Sequence, residues 1–182
     1  MKKSTYFLLA LFICSCESTI TSSETDLDLR NTAPVKLAPE DVGAGIFVYE
    51  KEIPDLTESQ AELLGRIQDR ESSKTVYLIR LDGPESIKEQ TAIRFNLPER
   101  TIEASVKRLR VDDPYVHWRG EVVDKPYTFS MTVDVEDHQA LGKARTTELN
   151  YTFESLGGDL HVLIQHDPND EFEDIAVGSE GI

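Results

Sequence analysis

Cysteine is almost missing from this chain. Two occur in 182 residues, Cys14 and Cys16, both near the start. Nothing beyond them can form a disulfide framework, so the stability of the later chain has to come from an apolar core. Histidine is also scarce. The four histidines are His117, His138, His161 and His166, and none form the His-Glu-x-x-His spacing that puts two imidazoles on one helix face for zinc. His161 and His166 are five apart, an odd separation that puts them on opposite faces of a continuous strand. No Gly-x-Ser-x-Gly elbow occurs. Gly43-x-Gly45 and Gly157-Gly158 lack the strand–loop–helix setting of a phosphate cradle. Basic side chains are few, 19 against 34 acidic ones, for a net charge of −15. That balance argues against nucleic acid and against docking on anionic lipid. These absences predict a non-enzymatic protein with no cofactor and no metal site.

The first residues carry an address. Lys2 and Lys3 precede the apolar run Tyr6–Ile13, eight residues where a bilayer span needs roughly 20. A positive head and a short apolar core read as a secretion signal that is later removed. The run closes on Ile13-Cys14-Ser15-Cys16, which looks like a lipobox, with an aliphatic residue three before Cys16 and a small one just before it. Cleavage there leaves residues 1–15 as signal peptide and Cys16 carrying lipid. It also removes Lys2 and Lys3, leaving 17 basic against 34 acidic residues, a net −17. The chain is thus expected in a bacterial cell envelope, with the outer membrane or cell surface preferred. Residues 16–42 are rich in Ser, Thr, Glu and Asp and poor in large apolar groups, and are expected to act as a flexible tether.

From residue 43 the pattern predicts one domain, to about residue 170. Gly45–Glu50 reads as a strand. Leu56–Arg70 reads as a helix capped by Asp55 or Thr57, with Ala61, Leu64 and Ile67 at helical spacing. After that the period is two. Val76–Leu81, Ala92–Leu97, Thr101–Val111, Tyr115–Val122 and Tyr127–Val135 all read as strands, with a slip near the end of the third that suggests a bulge. Asp137–Gly142 reads as a turn, and a further strand begins near Ala144. Leu149, Tyr151 and Phe153 alternate with polar residues, Gly157-Gly158-Asp159 signals a tight hairpin, and Leu160, Val162 and Ile164 follow. The fold predicted is mainly β, an antiparallel sandwich or half-barrel of about seven to nine short strands with one helix near the start of the domain. Residues 171–182 read as an acidic tail.

Two carboxylate groups stand out. Asp167 to Asp174 holds five, but Phe172 stands where a calcium loop needs its sharp-turn glycine. Asp134, Glu136 and Asp137 form a smaller set at a strand end. Solvated acidic surface is the plainer reading of both.

From Val76 to Phe172 the order of features resembles the propeptides of secreted reprolysin-like (metzincin) zinc proteases. The residues concerned are Val76–Leu81, Ala92–Pro98, His117-Trp118-Arg119-Gly120, Phe129–Val133 and, most specifically, Tyr151–Leu163. The last is similar to the family's Tyr-x-Ile-x-Pro-Leu-Gly-Gly-Gly-x-His-x-Leu run, with Phe153, Ser155 and Asp159 as departures. The family's cysteine switch is absent, and no zinc-binding helix follows. The resemblance implies a propeptide-like domain that inhibits a secreted zinc metalloprotease or helps it fold. Zinc can accept carboxylate oxygen, so Asp170, Glu171 and Asp174 would be the groups offered. Two alternatives remain open: a surface module binding a glycan or an envelope protein through an aromatic patch at Tyr115 and Trp118, and the non-catalytic remnant of a truncated protease precursor.

Overall fold

The computed structural model describes residues 32–39 and 42–169. These form ten strands and one α-helix: β1 (Val35–Lys36), β2 (Phe47–Tyr49), α1 (Glu58–Gln68), β3 (Ser73–Leu81), β4 (Ala92–Asn96), β5 (Thr101–Asp112), β6 (Tyr115–Glu121), β7 (Thr128–Asp134), β8 (Gln139–Arg145), β9 (Asn150–Gly157) and β10 (Leu160–His166), with a 3-10 helix over Pro84–Glu89. All the strands belong to one sheet, ordered β1-β3-β10-β9-β8-β7-β6-β5-β4, with β2 also paired to β3. The mainly β expectation holds, as one open, curled sheet with ten strands. Its pairs are antiparallel except β1 with β3.

Alternation along the strands divides the sheet into two faces. Trp118, Phe129, Met131, Val133, Tyr151, Phe153 and Leu163 point inward and pack with Phe47, Phe95 and Ile79 into the larger core. Phe95 stacks on Phe129 with ring centroids 4.7 Å apart, and Phe47 meets Phe153 edge-on at 5.3 Å. Val76, Leu78, Val162 and Ile164 point the other way, where α1 lays Leu64 and Ile67 over them. Strands β3 and β10 are therefore buried on both faces, which accounts for the unbroken run Val76-Tyr77-Leu78-Ile79. Burying Leu64 and Ile67 contributes about 2 kcal/mol each.

Helix α1 starts where its cap requires. Thr57 Oγ1 accepts from the Gln60 amide at 3.3 Å, and Gln60 Oε1 accepts from the Thr57 amide at 3.0 Å. The Gln60 side chain also donates to the Gly157 carbonyl at 3.0 Å, which fastens the helix to the β9–β10 hairpin. Ala61 faces outward and is exposed, unlike its predicted partners Leu64 and Ile67.

Strand β2 spans the gap between β3 and the far strand β4. Its register with β3 pairs Phe47 with Leu81 and Tyr49 with Ile79. Toward β4, the Ile46 amide donates to the Arg94 carbonyl at 2.8 Å. The side chain of buried Asn96 then takes over the role of a neighbouring strand. Its Oδ1 accepts from the Phe47 amide at 2.8 Å, and its Nδ2 donates to the Phe47 carbonyl at 2.7 Å. Tyr49 Oη donates to the Asn96 carbonyl at 2.7 Å. A Cβ at Gly45 would lie 2.4 Å from Asn96 Oδ1, so a side chain there is excluded.

Two expectations need correction. The tether does not extend to residue 42. Ala33 is buried, its amide donates to the Gln68 carbonyl at 2.9 Å, and Val35-Lys36 pairs with Val76-Tyr77. Two residues, Val35 and Lys36, were enough to join the sheet, with Ala33 buried just before them, despite their polar surroundings. Asp137–Gly142 is not all turn, because β8 starts at Gln139. Its inward residues are Ala140, Gly142 and Ala144, all small. Gly142 looks like a turn residue but sits mid-strand, because the Phe153 ring lies over it and a Cβ would come within 2.3 Å of that ring.

Candidate functional site

The outward face of β5–β9 is left bare by α1. Register places its residues in rows across the strands. One row runs Arg108, Arg119, Ser130, Lys143, Thr152, and the next begins Arg110, His117, Thr132. Together with Glu154, Leu141, Tyr115 and Arg70 they line a trough of about 1110 Å³. Arginine and lysine supply five of its lining side chains, against carboxylates from Asp134, Asp137 and Glu154. In a chain of net charge −15, this is a local reversal of sign.

The charges are not all compensated. Arg70 grips Glu154 with two bonds of 2.6 and 3.0 Å, and Arg110 pairs with Asp112 at 2.5 Å. Asp134 is occupied by its own turn, accepting from the Glu136 and Asp137 amides at 3.0 and 3.1 Å. Arg108 and Arg119, neighbours across β5 and β6, have no carboxylate partner among the described residues. Two adjacent guanidinium groups held on a rigid sheet suit paired carboxylates or another planar anion. Leu141 and Tyr115 add exposed apolar surface, 49 % and 47 % accessible.

Tyr115 and Trp118, proposed together from the sequence, are separated by the pleat. Tyr115 stands on the trough rim. Trp118, three residues on, points inward and is 1 % exposed, with its ring over Gly120. It is a core residue and offers no stacking platform. Cys16, Asp170, Glu171 and Asp174 lie outside the described residues.

Every histidine has a bonding role. His117 meets Thr132 at 3.0 Å and His138 meets Asp159 at 3.0 Å. His161 and His166 fall on opposite faces, as their spacing predicts. His161 Nε2 accepts from the Ala140 amide at 3.1 Å and its Nδ1 lies 3.0 Å from the Asp159 carbonyl, so Nδ1 carries the proton. Burial lowers its pKa. His166 lies 2.7 Å from Thr152 Oγ1, at the corner of the trough, and 3.0 Å from the Ser72 carbonyl.

A second polar group lies near the β4–β5 turn. Glu99 accepts from Tyr151 Oη at 2.5 Å and from Gln165 Nε2 at 3.0 Å. Burial raises the phenol pKa values of Tyr49, Tyr77 and Tyr151, with the Glu99 charge adding to the effect. These hydroxyls stay protonated and act as hydrogen-bond donors and packing surface.

The trough was missed at the sequence level although its signal was present. Arg108, Arg110, Arg119 and Lys143 are polar-face members of alternating strands. What alternation alone does not supply is the register that aligns them across five strands.

No family model matches this chain, and no curated protein matches it. A chain from a solved structure described as "Structure of a chaperone-substrate complex" is similar, with a TM-score of 0.41 and 19 % sequence identity, covering 48 % of this chain and 80 % of that chain.

Proposed function

We propose that this protein is a lipid-anchored binding module of the bacterial cell envelope, held to the membrane through Cys16, and that it docks a protein partner on the bare face of its sheet. The observation that carries this reading is the trough across β5–β9, with Arg108 and Arg119 lacking a carboxylate partner among the described residues and lying beside exposed Tyr115 and Leu141. A rigid sheet presents these groups without ordering cost, which favours binding. The partner class we propose is a secreted zinc metalloprotease, on the strength of the propeptide resemblance. The most specific residues of that resemblance, Tyr151, Phe153, Leu156, Leu160, Val162 and Leu163, are all buried. They speak for the fold, and the docking surface has to be sought on the trough. The glycan-binding alternative is weakened, since Trp118 is enclosed and only Tyr115 remains for stacking.

The test is calorimetric titration of the purified protein against the secreted metalloproteases of its own organism. Micromolar binding that weakens about tenfold or more in Arg108→Glu/Arg119→Glu supports the reading, since truncating or reversing charges at a contact costs about 1.4 kcal/mol or more. No binding to any of them removes the protease partner. Fractionation of cells expressing Cys16→Ser tests the anchor: the variant should leave the membrane pellet for the soluble fraction.

A further inference from the structure

The trough has a candidate occupant within the chain itself. Residues 170–182 begin Asp170-Glu171-Phe172-Glu173-Asp174-Ile175, acids interleaved with two large apolar residues. The trough is the complementary surface, with arginines interleaved with Tyr115 and Leu141. Place and length agree as well. Strand β10 ends at His166, whose ring bonds Thr152 on the trough lining. The acidic stretch therefore starts four residues from the trough's corner. Crossing five strands takes about 19 Å at ~4.8 Å per strand spacing. The 13 residues 170–182 reach about 40 Å when extended.

We infer that the acidic segment starting at Asp170 docks in cis on the trough, with its carboxylates on Arg108 and Arg119 and Phe172 against the apolar rim. This goes beyond the binding role and does not depend on it. A segment held there competes with any anionic ligand for the same two guanidinium groups.

Amide hydrogen exchange on the full-length protein, read by mass spectrometry at low salt, tests the inference without any partner. Residues 170–176 should exchange slowly, and Arg108→Glu/Arg119→Glu should speed them about fivefold, the size expected for losing two exposed charge pairs. Adding Glu171→Lys/Asp174→Lys to that variant should restore protection. Amides of β6–β9 serve as the internal check that each variant is folded. Three results would overturn the inference: exchange of 170–176 unchanged by the charge reversal, no recovery in the charge swap, or protection that grows with protein concentration, which would mean docking between molecules.

Discussion

Asn96→Ala should be among the most destabilising single changes in this protein. The Asn96 side chain serves both backbone groups of Phe47, accepting its N–H at 2.8 Å and donating to its C=O at 2.7 Å, and is itself 2 % exposed. Truncation leaves a buried donor and a buried acceptor unmet. Two ordinary net hydrogen bonds would be worth about 2 kcal/mol in total, while two orphaned groups cost about 1–3 kcal/mol each. A loss near 3 kcal/mol lies between these limits. Such a loss is large against a typical domain stability of roughly 5–15 kcal/mol. Trp118 provides the probe, as the single tryptophan and fully buried. Followed by its fluorescence in urea, the unfolding midpoint should fall by about 1.5–2 M at unchanged slope, taking a slope of about 1.5–2 kcal/mol/M. Asn96→Asp keeps the acceptor but loses the donor and buries a charge, so it should cost at least as much at neutral pH. A change below about 0.5 kcal/mol in Asn96→Ala would refute the reasoning, because it would mean that the β3 ladder and the Ile46–Arg94 bond hold β2 unaided.

Glycine substitutions should separate by what surrounds them. Gly142→Ala puts a Cβ 2.4 Å from the Ser130 carbonyl as well as against the Phe153 ring, and should cost about 1–3 kcal/mol by thermal melting. Gly65→Ala on α1 meets nothing within 4 Å and should stabilise by about 0.5–1 kcal/mol in the same assay. Acid should weaken the fold partly through His161. Its folded pKa is lowered by burial, so its contribution is complete above the unfolded value near 6.5 and is lost as the pH falls below that, when the unfolded chain takes up the proton first. His161→Gln should reduce the slope of stability between about pH 6.5 and 5 by at most one proton's worth, ~1.4 kcal/mol per pH unit, and an unchanged slope would count against this assignment. Arg108→Ala and Arg119→Ala should leave the urea midpoint nearly unmoved, within about 0.5 kcal/mol, because neither side chain pairs with a carboxylate among the described residues and an exposed pair with the acidic segment is worth little.

Much of the fold was legible because alternation is a strong signal where one face is buried. Tyr127–Val135 and the structure's Thr128–Asp134 differ only at the ends. The slip expected within Thr101–Val111 is a register shift between Val106 and Arg108. Gly157 and Gly158 both take positive φ, 104° and 59°, in the hairpin they announced. Strand β8 was hard to read because its inward residues are Ala, Gly and Ala, which carry little β preference, and their smallness makes sense only once Phe153 is known to lie beside them. Strand β1 was hidden for a different reason: two residues pairing in parallel have no periodicity to detect. The trough belongs to a third kind. Each arginine was visible, but their assembly depends on pairings between strands far apart in sequence.

The described chain enters and leaves the domain at the same place. Ala33 is clasped by Gln68, whose carbonyl accepts from its amide and whose Nε2 donates back to its carbonyl at 2.8 Å, while His166 rests on the Ser72 carbonyl near the other end. The first contact is on the last residue of α1 and the second is on the residue just before β3, four positions apart in the chain. A module whose ends converge in this way can be spliced into a loop of another protein, or reopened elsewhere by circular permutation, without disturbing the sheet. With both described ends gathered at one corner, the outward face of β5–β9 is left clear of either of them.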